Sequence, residues 1–533
     1  MNAVIKSCLQ NGFLIEPALA DFLSNMPSYD EEINNYLVGV LCGLSSSKML
    51  SASVISKNHD RISIILENYK TKSQGKDDVI SAYIASLKSF SNFALEKQPI
   101  AAKQESRVLG EEIRVLNSYI LPSRKISVED FTNHFRNRFI LFRGFLQDRN
   151  ELQNLTSINK INGQKQNVSI IAIVTDKRIT KNKNILLEVE DLTGRAVLLI
   201  NSSKVDVFKK AQDLVLDDIL GFKCSGSSEM LFVNDIIFPD CQIPERKKAP
   251  ILEYAAFTSD LHVGSDKFLE ENFLRFVNWL NGEIGSEKQK EMAKKVKYLF
   301  LVGDCVDGVG VYPGQENLLK IKDIREQYVK LAGMLSMIRK DIHIIMCPGQ
   351  HDSVRVAEPQ PPIDKYFAEP LHKIENLILV SNPSLINIAC SKDFPGFKVL
   401  MYHGASFHSL INDIEELRMS QAHHSPSKVV KHILKRRHLA PTHSSVVYVP
   451  SEMVDPLAIA TVPDIVTTGE VHRTDISYYN NILIVSCSCW QSITPYEEKV
   501  GNEPDPCKVP LLNLKTGEIN ILDFSSEASK NEA

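Results

Sequence analysis

No stretch of this 533-residue chain approaches the roughly 18 consecutive apolar residues of a membrane span. The opening MNAVIKSCLQNGFLI lacks the long apolar region of a secretory signal. The expectation is a soluble, cytoplasmic protein with no membrane partner. Neither sign of charge dominates: 61 Lys and Arg stand against 65 Asp and Glu, a formal net charge of -4. That balance excludes a chain-wide basic field for nucleic acid, so any DNA contact falls to a local patch or to a basic partner. The ten cysteines are scattered, and none has the C-x-x-C spacing of a zinc site. Reduced thiols are expected, with Cys487 and Cys489 packing as small apolar residues. GVGVYPG (308–314) lacks the strand-to-helix setting of a nucleotide fingerprint.

What is present is a repeated pattern at the ends of apolar runs. Phe257-Thr258-Ser259-Asp260 leads to His262, and Phe300-Leu301-Val302-Gly303-Asp304 leads to Asp307. Residues 342–352 end in Gly349-Gln350-His351-Asp352, 398–404 in His403-Gly404, and 464–475 contain Gly469-Glu470-Val471-His472. Short apolar runs closed by turn residues read as buried parallel strands. In open α/β sheets, ligands bind just past the carboxyl ends of such strands. One such pair alone would be an ordinary turn, but five converging runs suit one or two divalent metals, and the surplus of ligands favours two.

In this order, the five runs resemble D-x-H, G-D-x-x-D, G-N-H-D, a lone His and G-H-x-H, the signature of the calcineurin-like metallophosphoesterases. DSVRVAEPQPPI (352–363), LKRRHLAP (434–441), Trp490-Gln491 and VPLLNLKTGE (509–518) narrow the resemblance to the small subunits of the archaeal D-family DNA polymerase, over roughly residues 125–523. The resemblance implies a layered α/β phosphoesterase sandwich and a metal-dependent 3′-5′ proofreading exonuclease. It also implies two partners: a large catalytic polymerase subunit, and DNA with a single-stranded or mismatched 3′ end. A silent scaffold subunit and a free-standing metallophosphoesterase are the alternatives.

Carried over residue by residue, the resemblance gives the first metal to Asp260, His262, Asp304 and His472. It gives the second to Asp304, Gln350, His403 and Glu470, with Asp304 bridging. His351 and Asp307 are the expected catalytic residues: His351 protonates the leaving oxygen or stabilises charge on the phosphoryl group, and Asp307 or Asp352 is the neighbouring carboxylate that orients a ring. Two positions depart from the family pattern: Gln350 replaces an Asn, and Glu470 replaces a His. Both fall on the second metal and both still offer an oxygen. Oxygen ligands favour harder cations, so manganese is expected ahead of magnesium, iron or zinc.

Around this lie the other expected parts: a helical module (1–60), a partly flexible linker (61–124), a helix with a five-strand OB-like barrel (125–248), the phosphoesterase domain (249–523) and a disordered tail (524–533). In the helix, Phe131, Phe135, Phe139 and Phe142 fall at core spacing, and Arg138 is expected at a solvated edge or paired with an acid. Lys435, Arg436 and Arg437 form a local basic patch, readable as a DNA-backbone clamp or as a solvated helix face. His423, His424, His432, His438 and His443 are expected in surface or capping roles.

Overall fold

The computed structural model describes residues 3–96 (except 16, 25, 27–29, 45–48, 51 and 71–75), 112–120, and 125–525 (except 164, 452 and 453). The chain divides into two compact units, residues 1–101 and 102–533.

The first unit is helical: Ala3–Gln10, Pro17–Ser24, Glu31–Leu44, Ala52–Lys70 and Asp77–Glu96, with a two-stranded parallel pair, Leu14–Ile15 and Met49–Leu50. Leu37, Leu41, Leu66, Ile80 and Tyr83 lie in its core. The last two helices occupy most of the stretch 61–96, where the sequence suggests a linker. Their polar exposed faces disguise a buried stripe that includes Ile62, Leu66, Ile80 and Leu87. The remainder of that linker also departs from expectation at Arg114–Ser118, a strand paired antiparallel to Ser384–Ile388. Residues 97–111 and 121–124, and the tail beyond Ser525, lie outside the described residues.

The second unit opens with the helix Val128–Gln147, capped by a reciprocal Ser127–Asp130 box. Phe139 and Phe142 are buried as their spacing requires. Arg138 is buried too, and its Nε donates to Asp455 at 2.5 Å. Lys165–Ile179, Ile185–Glu190, Arg195–Ile200, Ile219–Gly226 and Leu231–Ile237 then form a closed five-strand barrel around Ile170, Leu187, Leu198 and Phe222.

The rest is built on two six-stranded sheets. The first runs Leu377–Leu379, His343–Cys347, Val296–Val302, Tyr254–Thr258, Lys508–Asn513 and Ile519–Asp523, its first four strands parallel. The second runs Asp475–Tyr479, Ile482–Ser486, Ile465–Thr468, Phe397–Met401, Ser384–Ile388 and Arg114–Ser118. Tyr254–Thr258 and Ile465–Thr468 are buried at every residue, which is why they read as unbroken apolar runs rather than alternating ones. One core takes residues from both sheets, including the stacked rings of Phe257 and Phe300. A second joins the first sheet to the helices Glu270–Leu280 and Ile324–Ser336. A third joins the other sheet to Phe407–Asp413 and Ser427–Arg436. Among the described residues, no helix is long and apolar enough to cross a membrane. All ten cysteines are free and buried.

Candidate metal centre

Three parallel strands of the first sheet end in register, and their loops are zipped together. Asp260 N–H donates to Gly303 O at 3.0 Å, His262 N–H to Asp304 O at 3.0 Å, and Gly303 N–H to Cys347 O at 3.2 Å. From the second sheet, the parallel pair Phe397–Met401 and Ile465–Thr468 brings His403 beside Gly469, whose N–H donates to His403 O at 2.9 Å. Two glycines are required by this crowding. A Cβ on Gly303 (φ +81°) would collide with the His403 ring, and one on Gly349 with the Asp304 carboxylate. Asp260, His262, Asp304, Glu470 and His472 are themselves left-handed, with φ between +47° and +71°. Such a conformation in a non-glycine residue costs on the order of 1–3 kcal/mol and persists where the surroundings over-determine it.

The side chains predicted as ligands come together. Asp260 Oδ1 lies 3.4 Å from His472 Nε2, 3.8 Å from His403 Nε2 and 4.0 Å from His262 Nε2. His403 Nε2 is 3.2 Å from Asp304 Oδ2 and 3.2 Å from Glu470 Oε2. Gln350 Nε2 donates to Glu470 Oε2 at 2.8 Å. Asp260, His262 and His472 form one group with metal-ligand spacing, and Asp260, Asp304 and His403 another.

These atoms fit a cation by a separate criterion. Asp260 Oδ1, His262 Nε2, His403 Nε2 and Gln350 Oε1 are buried and lack any hydrogen-bond partner. Buried polar atoms are nearly always satisfied, so four orphans in one pocket need an explanation. The far nitrogens, by contrast, are all held: His262 Nδ1 by Asp307 Oδ1 at 3.0 Å, His472 Nδ1 by Glu497 Oε1 at 2.8 Å, and His403 Nδ1 by Val302 O at 2.8 Å. Such outer partners aim the free nitrogen and fix the tautomer.

Burial opposes the charges on His403, Asp304 and Glu470, and close pairing overcomes it. Asp304 and Asp260 hold the His403 imidazole well above its usual range, while His403 and His351 hold Asp304 well below the carboxylate range. Glu470 is held low against burial by His403 and His408. Two acids behind the site go the other way: burial pushes Asp352 up to about 7 and Glu358 up to about 8.

Asp307, expected as catalytic, is turned onto His262, and its other oxygen accepts from Gln315 Nε2 at 3.0 Å. His351 lines the cleft: its backbone N–H donates to Asp304 Oδ1 at 2.8 Å and its Nδ1 lies 2.8 Å from Asp307 O. That cleft has a volume of about 760 Å³ and is also lined by His262, Gln350, Glu470 and His472. Glu497 and His408 are additions that the motifs do not point to. Glu497 carries a legible signal only as the T-x-x-E cap of the helix Pro495–Val500, and His408 carries none.

The basic patch does not serve as a clamp on DNA through Arg436. That residue is 2 % exposed; its Nε donates to Asp218 Oδ1 of the barrel at 3.0 Å and another nitrogen to Asp213 O. Lys435 lies over the Phe238 ring and Arg437 over Phe145. The three fasten the barrel and the helix Val128–Gln147 to the second sheet's helices. His432 and His438 are buried rather than superficial, and His438 Nε2 lies 2.8 Å from Asp455 Oδ2.

Residues 255–476 match the family of B subunits of DNA polymerases alpha and epsilon. The DNA polymerase II small subunit of Methanothermobacter thermautotrophicus is 36% identical over 398 residues, covering 75% of this chain and 80% of that one. The corresponding protein of Archaeoglobus fulgidus is 31% identical over 526 residues, 98% of each chain. That of Pyrococcus furiosus is 36% identical over 407 residues, of which this chain spans 64% of the relative's length. Among solved structures, an archaeal phosphodiesterase (14% identity, TM-score 0.25, 50% of this chain and 98% of that one) and zinc-bound Vps29 of Entamoeba histolytica (12%, TM-score 0.23, 51% and 99%) are similar only distantly. On the sequence relatives, this chain belongs to the family of archaeal DNA polymerase II small subunits, the small subunits of the D-family polymerases.

Proposed function

We propose that this chain is the metal-dependent 3′-5′ proofreading exonuclease of a two-chain replicative DNA polymerase, bound to a large catalytic subunit. On this reading the two sheets and their helices are a calcineurin-like sandwich and the barrel is an OB fold used for structure and docking. The observation that carries the reading is the meeting of Asp260, His262, Asp304, Gln350, His403, Glu470 and His472 from five strand ends, with four of their atoms buried and unpartnered.

Asp260, His262, Asp304 and His472 would hold one divalent cation, and Asp304, Gln350, His403 and Glu470 a second. Such a pair supplies an acidified water and neutralises charge on a phosphodiester. The chain's own contribution is placement. Asp307, Glu497 and the Val302 carbonyl aim three imidazoles inward. His351 stands at the cleft with Nδ1 donating to the Asp307 carbonyl, which leaves Nε2 facing substrate. Burial works against its protonation, but Asp304 and the Asp307 carbonyl raise it. His351 therefore donates a proton to the departing 3′-oxygen or a hydrogen bond to the phosphoryl group. The Gln350–Glu470 hydrogen bond favours a second reading, in which the two altered ligands satisfy each other and the chain is a silent scaffold.

Digestion of a primer with a mismatched 3′ end in manganese separates the two. The nuclease reading expects shortening from the 3′ end that is abolished in Asp304→Ala. Undiminished digestion by that variant, or none by the unaltered protein in complex with its large subunit, contradicts it.

A further inference from the structure

The two oxygens of Glu470 face different surroundings. Oε2 points inward, toward Gln350 Nε2 at 2.8 Å and His403 Nε2 at 3.2 Å. Oε1 points at the cleft, where His408 Nε2 lies 3.5 Å away. The His408 side chain is 63% exposed, so packing does not account for its direction. The local backbone does. Gly404 has φ +130°, and a Cβ there would sit 2.9 Å from Glu470 Cβ. A glycine is what lets the chain run directly against Glu470 before the helix Phe407–Asp413 begins. His408, the second residue of that helix, is thereby brought to the outer oxygen.

A comparison within the site gives this contact its meaning. Each of the three inward imidazoles has a second anchor on its far nitrogen: Asp307 for His262, Glu497 for His472, the Val302 carbonyl for His403. Glu470 has three rotatable side-chain bonds and no ring, so it depends more on an outer anchor than any imidazole does. We infer that His408 is a positioning residue for the second metal position: its Nε2–H donates to Glu470 Oε1 and keeps Oε2 turned toward His403 and Gln350. The inference rests on the binuclear reading proposed above. Ile411, Asn412 and His423 also line the cleft.

The test is calorimetric titration of the full chain with manganese chloride, comparing the unaltered protein, His408→Ala and His408→Gln. Two classes of site are expected in the unaltered protein. His408→Ala is expected to keep one class and weaken the other about 10–100-fold, the usual cost of losing an outer-shell partner. His408→Gln, whose amide can donate to the same oxygen, is expected to recover most of that affinity. If two classes persist unchanged in His408→Ala, or both weaken equally, the inference is overturned while the binuclear reading stands. If the unaltered protein binds fewer than two cations, both are overturned. An exposed His at the start of a short helix leaves the core intact, and thermal melts of the variants check this.

Discussion

Gln350 Nε2 donates to Glu470 Oε2 at 2.8 Å, so the two positions at which this chain departs from the phosphoesterase pattern touch one another. They are 120 residues apart in sequence and reach the pocket from different sheets. Residues in contact couple energetically, so these two replacements are to be understood as a pair. On the binuclear reading proposed above, together they would exchange a nitrogen-bearing ligand for an anionic oxygen at the second metal position.

Reversing the pair should reverse the metal preference. Gln350→Asn with Glu470→His is expected to raise zinc affinity relative to manganese, and each single change to do less than half of this. Competition titration with the two metals reads it. Additive single effects, or no change in preference, would contradict the coupling.

His351 Nε2 lies 4.0 Å from Asp304 Oδ2, at the limit of an ion pair, and its Nδ1 is turned to the Asp307 carbonyl. His351→Ala should therefore leave manganese binding nearly intact and lower kcat about 10²–10⁴-fold, the range typical of a general acid. Single-turnover digestion of a mismatched primer measures this. A change confined to KM would show that the ring only binds substrate.

Arg138 and Asp455 form a buried ion pair that ties the helix Val128–Gln147 to the segment after the helix Ser427–Arg436, with His438 on the same carboxylate. Burial opposes the charge on Asp455, yet Arg138 and His438 hold it well below the usual carboxylate range. Arg138→Ala strands that charge and is expected to destabilise the second unit by about 3–5 kcal/mol, read by urea unfolding. A loss under about 1 kcal/mol would mean that water reaches Asp455.

Glu358 gives a pH dependence of definite sign. Burial raises its folded value to about 8 from an ordinary 4.5, partly offset by the Tyr402 hydroxyl. Between those values the unfolded chain is ionised and the folded chain is not, so the folded state holds the extra proton. Stability from this group is complete below pH 4.5 and is lost as pH rises through about 8. Glu358→Gln should flatten that decline in melting curves taken from about pH 5 to 9, and an unaltered slope would show the acid to be ionised when folded.

The site is legible in the sequence because its chemistry sits at strand ends, where an apolar run stops at a Gly, Asp or His within a few residues. Each such signal is local. What stays illegible is non-local. Arg436 reads as part of a surface patch until Asp218, 218 residues earlier, is found against it. Glu497 reads as a helix cap, and it is one, but its other oxygen holds His472. His408 has no motif at all, because only the turn at Gly404 decides where it points. The stretch 61–96 reads as linker because Lys, Ser and Asp crowd its sequence. Its buried positions, such as Leu66, Ile80 and Tyr83, recur at helical spacing among them.

Anomalous scattering from crystals of the protein soaked in manganese most directly tests whether this pocket is a binuclear cation site. Two peaks are predicted: one among Asp260, His262 and His472, the other among Asp304, Gln350, His403 and Glu470. A single peak would overturn the binuclear reading and leave the second position closed by the Gln350–Glu470 bond, and the absence of any peak between these side chains would contradict the account altogether.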